Sequence, residues 1–241
     1  MNEVIIIAGG LGTRLGTLTN KIPKSLIDID GNPFIYYQLK LLEEKGFDHV
    51  ILALGKYGEK VEKYVRKMET TMQIDYSYDG DTLLGTGGAV AKAAELVITP
   101  WTFTIYGDSY LPIDYEKIDE RFRIMQSPLR MYAMMTIYEN KNPLHKNNVA
   151  YDKDSQKIEE YTKKGASYYE LDYLDYGASI FYKTDLMMFS GEQFDLSMIH
   201  KMLARTNTLG GYLIDTPFYE VGSPEGLGEF KNYIKEKNNV Q

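Results

Sequence analysis

Val4-Ile5-Ile6-Ile7-Ala8-Gly9-Gly10 is an apolar, largely β-branched run that stops at two glycines. Such a run leaves no polar side for water, so it predicts a strand buried on both faces of a parallel sheet, with a glycine loop at its carboxyl end. The residues that follow alternate in kind. Asn32 and Pro33 have the types of an N-cap and a first helical residue, Phe34, Ile35, Gln38, Leu39, Leu41 and Leu42 form a wide apolar face, and Gly46 closes that helix. Residues 50–54 read as a strand, 59–68 as a helix and 73–78 as a strand. Gly85-Thr86-Gly87-Gly88 opens an alanine-rich helix through Val97, and 102–106 is an apolar strand ending in Gly107-Asp108. This order predicts a parallel sheet with helices on both faces.

The later residues are less regular. Strands are expected at 131–138, 149–151, 157–161 and 178–182, helices at 197–203 and 224–235, and a frayed tail at 235–241. The 241 residues are 44% hydrophobic and 25% charged, the balance of a soluble globular chain, and no repeat, low-complexity tract or linker divides them. A formal net charge of -7 excludes a broad electrostatic grip on nucleic acid. The absence of cysteine excludes disulfides, thiolate metal sites and cysteine nucleophiles. Residues 1–8 carry Glu3 and only a short apolar run, without the basic start and cleavage region of a signal peptide, and no stretch approaches the roughly 20 apolar residues of a membrane span. A cytoplasmic protein without a membrane partner is expected.

Ala8-Gly9-Gly10-Leu11-Gly12-Thr13-Arg14-Leu15 leaves the first strand as a loop whose backbone amides can point at phosphate oxygens. Arg14 adds a guanidinium fork for the same anion, and Lys24, in Ile22-Pro23-Lys24-Ser25-Leu26, returns a second cation. Together they make a cradle for a triphosphate; the alternative for the glycines is a plain tight turn. The spacing fits neither the P-loop nor the dinucleotide fingerprint, in which a glycine would stand where Leu15 does.

Gly10, Gly12, Arg14, Leu15, Pro23 and Lys24 fit the pattern G-x-G-x-R-L followed by P-K, which resembles the signature of the sugar-1-phosphate nucleotidyltransferases. Ser25 departs from the proline usual after that lysine, and Thr17-Leu18-Thr19 from the usual Pro-Leu-Thr. The resemblance implies that Ala8, Gly9, Gly10, Leu11, Gly12 and Thr13 hold the nucleotide, that Arg14 steadies the departing pyrophosphate and that Lys24 neutralises phosphate charge at the transition state. Leu84-Gly85-Thr86-Gly87-Gly88-Ala89 resembles the family's second glycine stretch, which implies nucleotide contacts at Gly85, Thr86 and Gly87. Asp79 stands near where the family presents a side chain to the base edge.

Asp108 follows the fourth predicted strand, and a carboxylate at the carboxyl end of a parallel strand faces the crevice where α/β sheets bind ligands. Its place matches the family's metal aspartate, with Asp108 and Ser109 also beside the sugar. Glu220, in Phe218-Tyr219-Glu220-Val221-Gly222-Ser223-Pro224-Glu225, stands where the family has a second metal aspartate, and glutamate can ligate Mg²⁺ through oxygen as well. Glu160-Tyr161-Thr162-Lys163-Lys164 resembles the segment that carries an acid and a lysine to the sugar phosphate. Lys163 is the expected catalytic phosphate ligand, while Thr162 replaces the acid. Asp175-Tyr176-Gly177 resembles the turn that holds the sugar, through Asp175 or the Gly177 backbone. His49, His145 and His200 show no metal or nucleophile spacing and are expected to be structural.

The resemblance implies one Rossmann-like α/β domain over 1–241, a three-layer sandwich with a mixed, mainly parallel sheet. Residues 1–110 would form its nucleotide-binding half and 111–235 its sugar-phosphate-binding half. It implies a Mg²⁺-dependent enzyme whose partners are a nucleoside triphosphate and a sugar 1-phosphate, in the manner of bacterial heptose or mannose 1-phosphate guanylyltransferase-like members, and a homodimer. Two rivals are a cytidylyltransferase acting on a non-sugar phosphate and a catalytically silent module that holds a nucleotide sugar.

Overall fold

The computed structural model describes residues 2–10, 22–129, 131–140, 146–163, 167 and 169–239, with the side chains of 126–129 excepted. The chain runs β1 (Glu3–Ile7), β2 (Asp28–Ile29), β3 (Asn32–Pro33), α1 (Phe34–Glu44), β4 (His49–Leu54), α2 (Gly58–Val65), β5 (Gln73–Tyr78), α3 (Gly85–Ala93), β6 (Trp101–Tyr106) and β7 (Ser109–Tyr110). It continues through α4 (Tyr115–Leu129), β8 (Ala133–Glu139), β9 (Val149–Asp152), β10 (Lys157–Tyr161), β11 (Tyr173–Tyr182), α5 (Lys183–Met187), α6 (Ser197–Arg205), β12 (Leu209–Ile214), β13 (Tyr219–Glu220) and α7 (Pro224–Asn239).

One nine-stranded sheet in the order β5-β4-β1-β6-β11-β8-β12-β10-β9 passes through both halves. All five residues of β1 are buried, because strands flank it on both edges and helices cover both faces. Val4 and Ile6 face α1, α2 and α4 through Ile35, Leu39, Val61, Ile118 and Phe122. Ile5 and Ile7 face α3, α5 and α6 through Ala89, Val90, Leu186 and Ile199. Two apolar cores around one sheet make the expected three layers, and each buried isoleucine contributes roughly 1.5–3 kcal/mol.

The sheet is mixed, and its parallel character divides unevenly. β5, β4, β1 and β6 are mutually parallel, whereas β11 runs antiparallel to both β6 and β8, and β10 antiparallel to both β9 and β12. Helix α3 is a crossover between parallel strands, while α4 leads from the site-bearing turn to β8. Helices α4 and α5, strand β12 and the short strands β2, β3, β7 and β13 are additions to the predicted elements, and α7 continues to Asn239 through residues expected to fray. The start of α1 is a correction, since Asn32 and Pro33 pair with β2 instead of capping and opening the helix. The Phe34 N–H donates to the Ile27 carbonyl at 2.9 Å, which holds the helix entry to that hairpin.

Candidate active site

The carboxyl ends of β1 and β6 meet a two-stranded ribbon. β6 ends at Tyr106, and the Gly107 N–H donates to the Ile7 carbonyl at 3.0 Å before the chain turns through Asp108 into β7. Gln38 of α1 clamps this turn: its Nε2 donates to the carbonyls of Tyr106 (3.0 Å) and Ser109 (2.8 Å). In the sequence Gln38 counts as a member of the apolar face, and only the fold reveals its use. β13 then pairs antiparallel with β7, Glu220 opposite Ser109, and the Val221 N–H donates to the Asp108 carbonyl at 2.9 Å. An aromatic cluster of Phe34, Tyr110, Tyr219, Phe230 and Tyr233 fastens this ribbon to α1 and α7, with the Tyr219 and Tyr233 rings stacked at 4.3 Å.

Lys24 stands on a short 3-10 turn, Lys24–Leu26, and its Nζ reaches Asp108 Oδ2 at 2.8 Å. Its side chain is only 13% exposed, so the ammonium is directed inward. Glu220 folds over the first turn of α7. Its Oε2 accepts the Gly222 N–H at 2.7 Å and its Oε1 accepts the Ser223 hydroxyl at 2.5 Å. The three side chains converge. A Cβ placed on Gly222 would lie 3.1 Å from both Asp108 Oδ2 and Lys24 Nζ, and nearer still to Glu220 Oε2. Among the described residues no group of three or more His, Asp or Glu forms a ready metal cage. Two convergent carboxylates suit a hard divalent cation that completes its shell with substrate phosphates and water. The donor chemistry of Asp108 and Glu220 is of the kind that fits Mg²⁺.

Of the first glycine loop, Ala8, Gly9 and Gly10 are described; Leu11, Gly12, Thr13 and Arg14 lie outside the described residues, as does His145. The Ala8 amide donates to the Ala53 carbonyl at 2.9 Å, so it serves the sheet here. Gly10 is exposed, with open space where a side chain would be. Asp79, at the end of β5, accepts the Leu84 N–H at 3.3 Å, and burial raises its carboxyl above the usual range against the opposing pull of that bond and of Lys92.

At the second glycine stretch the structure shows protein where the resemblance implies nucleotide. The Gly87 and Gly88 amides donate to the Phe194 carbonyl at 2.9 and 3.3 Å, and the Thr86 hydroxyl accepts the Leu196 N–H at 2.9 Å. Gly87 and Thr86 thus dock a loop preceding α6 onto the amino end of α3, and in this conformation those groups are spent on that loop. A Cβ at Gly88 would overlap the Glu192 carbonyl oxygen and lie 2.9 Å from Leu84 Cβ. Gly88→Ala is expected to cost about 1–3 kcal/mol by overpacking. Thermal unfolding reads this as a fall of about 2–4 °C for each kcal/mol in a chain of this size. An unchanged Tm would mean that the loop yields freely.

On the opposite wall, a bulge in β11 between Asp175 and Ser179 carries Gly177, whose φ of +108° strains any residue with a side chain. Ser109 Oγ lies 3.7 Å from the point where a Gly177 Cβ would stand, so the expected sugar-side residues do adjoin. Asp175 accepts the Gly177 N–H at 3.0 Å and the Tyr161 hydroxyl at 3.1 Å, while burial raises its carboxyl. Tyr106 adds a group absent from the sequence reading. Its hydroxyl is buried without a partner among the described residues, and burial, reinforced by Asp175, Asp195 and Asp108, raises it well above the ordinary phenol range. Lys163 Nζ reaches Asp195 Oδ1 at 2.9 Å. His49 and His200 are buried, the latter between Tyr161 and Phe181, and burial lowers the His200 imidazole to about 3.

The sequence profile described as nucleotidyl transferase matches residues 3–229. D-glycero-alpha-D-manno-heptose 1-phosphate guanylyltransferase of Aneurinibacillus thermoaerophilus is 37% identical over 119 residues, 49% of this chain and 51% of that protein. The protein of the same name from Campylobacter jejuni is 33% identical over 116 residues, 48% of this chain and 52% of that one. The matched region spans about half the length of these relatives. The structure of HddC from Yersinia pseudotuberculosis complexed with GMP-PN superposes with a TM-score of 0.80 at 26% identity, covering 97% of this chain and 100% of that chain.

Proposed function

From the premise that this chain belongs to the nucleotidyl transferase family, we propose that it condenses a nucleoside triphosphate with a sugar 1-phosphate, releasing pyrophosphate and forming a nucleotide sugar. The observation that carries this reading is the convergence of Lys24, Asp108 and Glu220 at the carboxyl edge of the sheet. An oxygen of the sugar phosphate, already an anion at neutral pH, attacks the α-phosphorus; the bond to the β-phosphate oxygen breaks and pyrophosphate leaves. No covalent enzyme intermediate or general base is required. What the protein must supply is alignment and charge.

Lys24 offers an ammonium to phosphate oxygens, and Arg14 is assigned to the departing pyrophosphate. Asp108 and Glu220 would hold Mg²⁺, which when bound neutralises phosphate charge and raises the electrophilicity of phosphorus. Lys163 is assigned to the acceptor phosphate, with Ser109, Asp175 and Gly177 toward the sugar. The amides of Gly9 and Gly10, with Asp79 and Gly85, are assigned to the nucleotide. GTP with a heptose or hexose 1-phosphate is the favoured pair, because the relatives above are named as heptose 1-phosphate guanylyltransferases.

Pyrophosphate release, measured for each common nucleoside triphosphate with Mg²⁺ against a panel of sugar 1-phosphates and phosphorylated alcohols, tests the proposal. The expected result is one strongly preferred pair, GTP with a heptose or hexose 1-phosphate. Turnover only with CTP and a phosphorylated alcohol would replace the acceptor class. Nucleotide-sugar binding without turnover by any pair would leave a binding module.

A further inference from the structure

The segment 160–164 lacks an acid beside Lys163, since Thr162 stands there and is buried. The fold brings a carboxylate to that lysine from a distant part of the chain. Asp195 Oδ1 lies 2.9 Å from Lys163 Nζ and accepts the Ser197 N–H at the same distance, at the amino end of α6. Its place is not left to a flexible loop. The Phe194 N–H donates to the Leu84 carbonyl at 3.0 Å, Gln193 Nε2 to the Leu83 carbonyl at 2.8 Å, and Phe194 and Leu196 complete the contacts with Gly87, Gly88 and Thr86. The second glycine stretch is therefore the anchor on which Asp195 stands.

This arrangement joins two parts of the site that are separate in sequence. A lysine has a long flexible stem, and confining its ammonium costs rotamer entropy that an ordered partner can meet before the ligand arrives. The pair is exposed, 40% at Lys163 and 50% at Asp195, so it contributes little to global stability. Its effect must be local. The protein around Asp195 partly desolvates it and opposes ionisation, but the Ser197 hydroxyl and amide and the Lys163 ammonium hold its carboxyl at about 2, so the partner is charged at any working pH.

Resting on the reading of Lys163 as the acceptor-phosphate ligand, we propose that Asp195 is a positioning residue: it holds the Lys163 ammonium toward the acceptor phosphate, and the loop docked on residues 83–88 sets where that phosphate sits relative to the nucleotide. Asp195 acts through Lys163. It is the carboxylate that Thr162, at the position directly before Lys163, does not provide.

The test is a kinetic cycle of Asp195→Asn, Lys163→Met and the double variant, assayed with the preferred sugar 1-phosphate and triphosphate. Asn retains the oxygen that the Ser197 N–H and the Lys163 ammonium share, so the start of α6 is kept and what is removed is the charge that confines the ammonium. Losing one pre-ordered long side chain corresponds to about a tenfold rise in acceptor KM, with the triphosphate KM within about twofold of the parent. In the Lys163→Met background, adding Asp195→Asn should change acceptor kcat/KM by less than about twofold. Asp195→Glu should recover part of the loss. An acceptor KM that falls in Asp195→Asn would make Asp195 a competitor for the ammonium and overturn the proposal, as would an undiminished effect in the Lys163→Met background. Inorganic phosphate, titrated by NMR into the parent and Asp195→Asn proteins, separates this question from the activity itself. If the parent turns over no pair, weaker phosphate binding by Asp195→Asn still supports the positioning role, and equal or tighter binding overturns it.

Discussion

Asp108→Ala is expected to lower kcat by about 10³-fold, in the upper part of the loss that follows removal of one group directed at transition-state charge. Asp108 is where two requirements meet. Its carboxylate is the partner of Lys24 at 2.8 Å, and it converges with Glu220 at the proposed cation site. Alanine there removes one of the two carboxylates from the proposed cation site and releases Lys24 from its position. The surrounding ribbon should persist, because it is held by backbone pairing of β7 with β13, by the Asp108 carbonyl and by Gln38, none of which needs the Asp108 side chain. The loss should therefore appear in turnover while Tm stays close to that of the parent. Asp79→Ala, at the edge of the nucleotide side, is expected to cost about tenfold in kcat/KM for the triphosphate, the scale of one polar contact. Steady-state pyrophosphate release across a Mg²⁺ titration checks both. Near-normal turnover by Asp108→Ala at saturating Mg²⁺ would remove Asp108 from the proposed mechanism.

The first half of the fold was legible because its signals are local. A continuous apolar run bounded by glycines, as in Val4–Gly10, has few ways to be satisfied other than a doubly covered strand. Helix α4 carried a signal of its own, Tyr115, Ile118, Phe122 and Met125 at helical spacing, all buried in the structure, but many charged neighbours obscured it. β12 contains Gly210-Gly211, which reads as a turn; a Cβ on Gly211 would lie 2.5 Å from the Tyr151 ring, a constraint set by a strand far away in sequence.

The same division runs through the site. Lys24, Asp108 and Glu220 were named from motif position, and the fold brings them together. Gln38, Tyr106 and Asp195 were not, for the partners of Gln38 and Asp195 and the burial of the Tyr106 hydroxyl depend on residues distant in sequence. Asp195-Leu196-Ser197 carries a helix-start signal, yet nothing local points to Lys163. Conversely, Gly87 and Thr86 belong to a recognisable motif whose observed contacts are with the Phe194 loop.

The largest stability effect is expected far from the site, at Glu3. This carboxylate is 2% exposed at the amino end of β1. Its oxygens face His49 Nδ1 at 2.6 Å, the Ile98 N–H at 2.9 and 3.0 Å, and both the amide and hydroxyl of Thr99. His49 Nε2 in turn lies 2.9 Å from Asp75 Oδ2, so one chain of polar groups, buried at Glu3 and His49 and reaching solvent at Asp75, ties β1, β4, β5 and the segment entering β6. Glu3→Gln removes the charge and turns an amide NH₂ toward donors that need an acceptor. Breaking one side of such a buried network costs about 3–5 kcal/mol, a large share of the roughly 5–15 kcal/mol that holds an ordinary domain together. Burial by itself would raise the Glu3 carboxyl, but the Thr99 hydroxyl, the Ile98 and Thr99 amides and His49 outweigh it and hold the group below its ordinary value of 4.5. Because the folded protein binds this proton less readily than the unfolded chain, the stability it contributes is complete above about pH 4.5 and declines as pH falls toward the folded value. Urea unfolding of parent and Glu3→Gln at pH 7 and at steps down to pH 3 should show a wide gap in midpoint that narrows with acid. A gap that stays constant over this range would mean that the neutral acid serves the network as well as the carboxylate does.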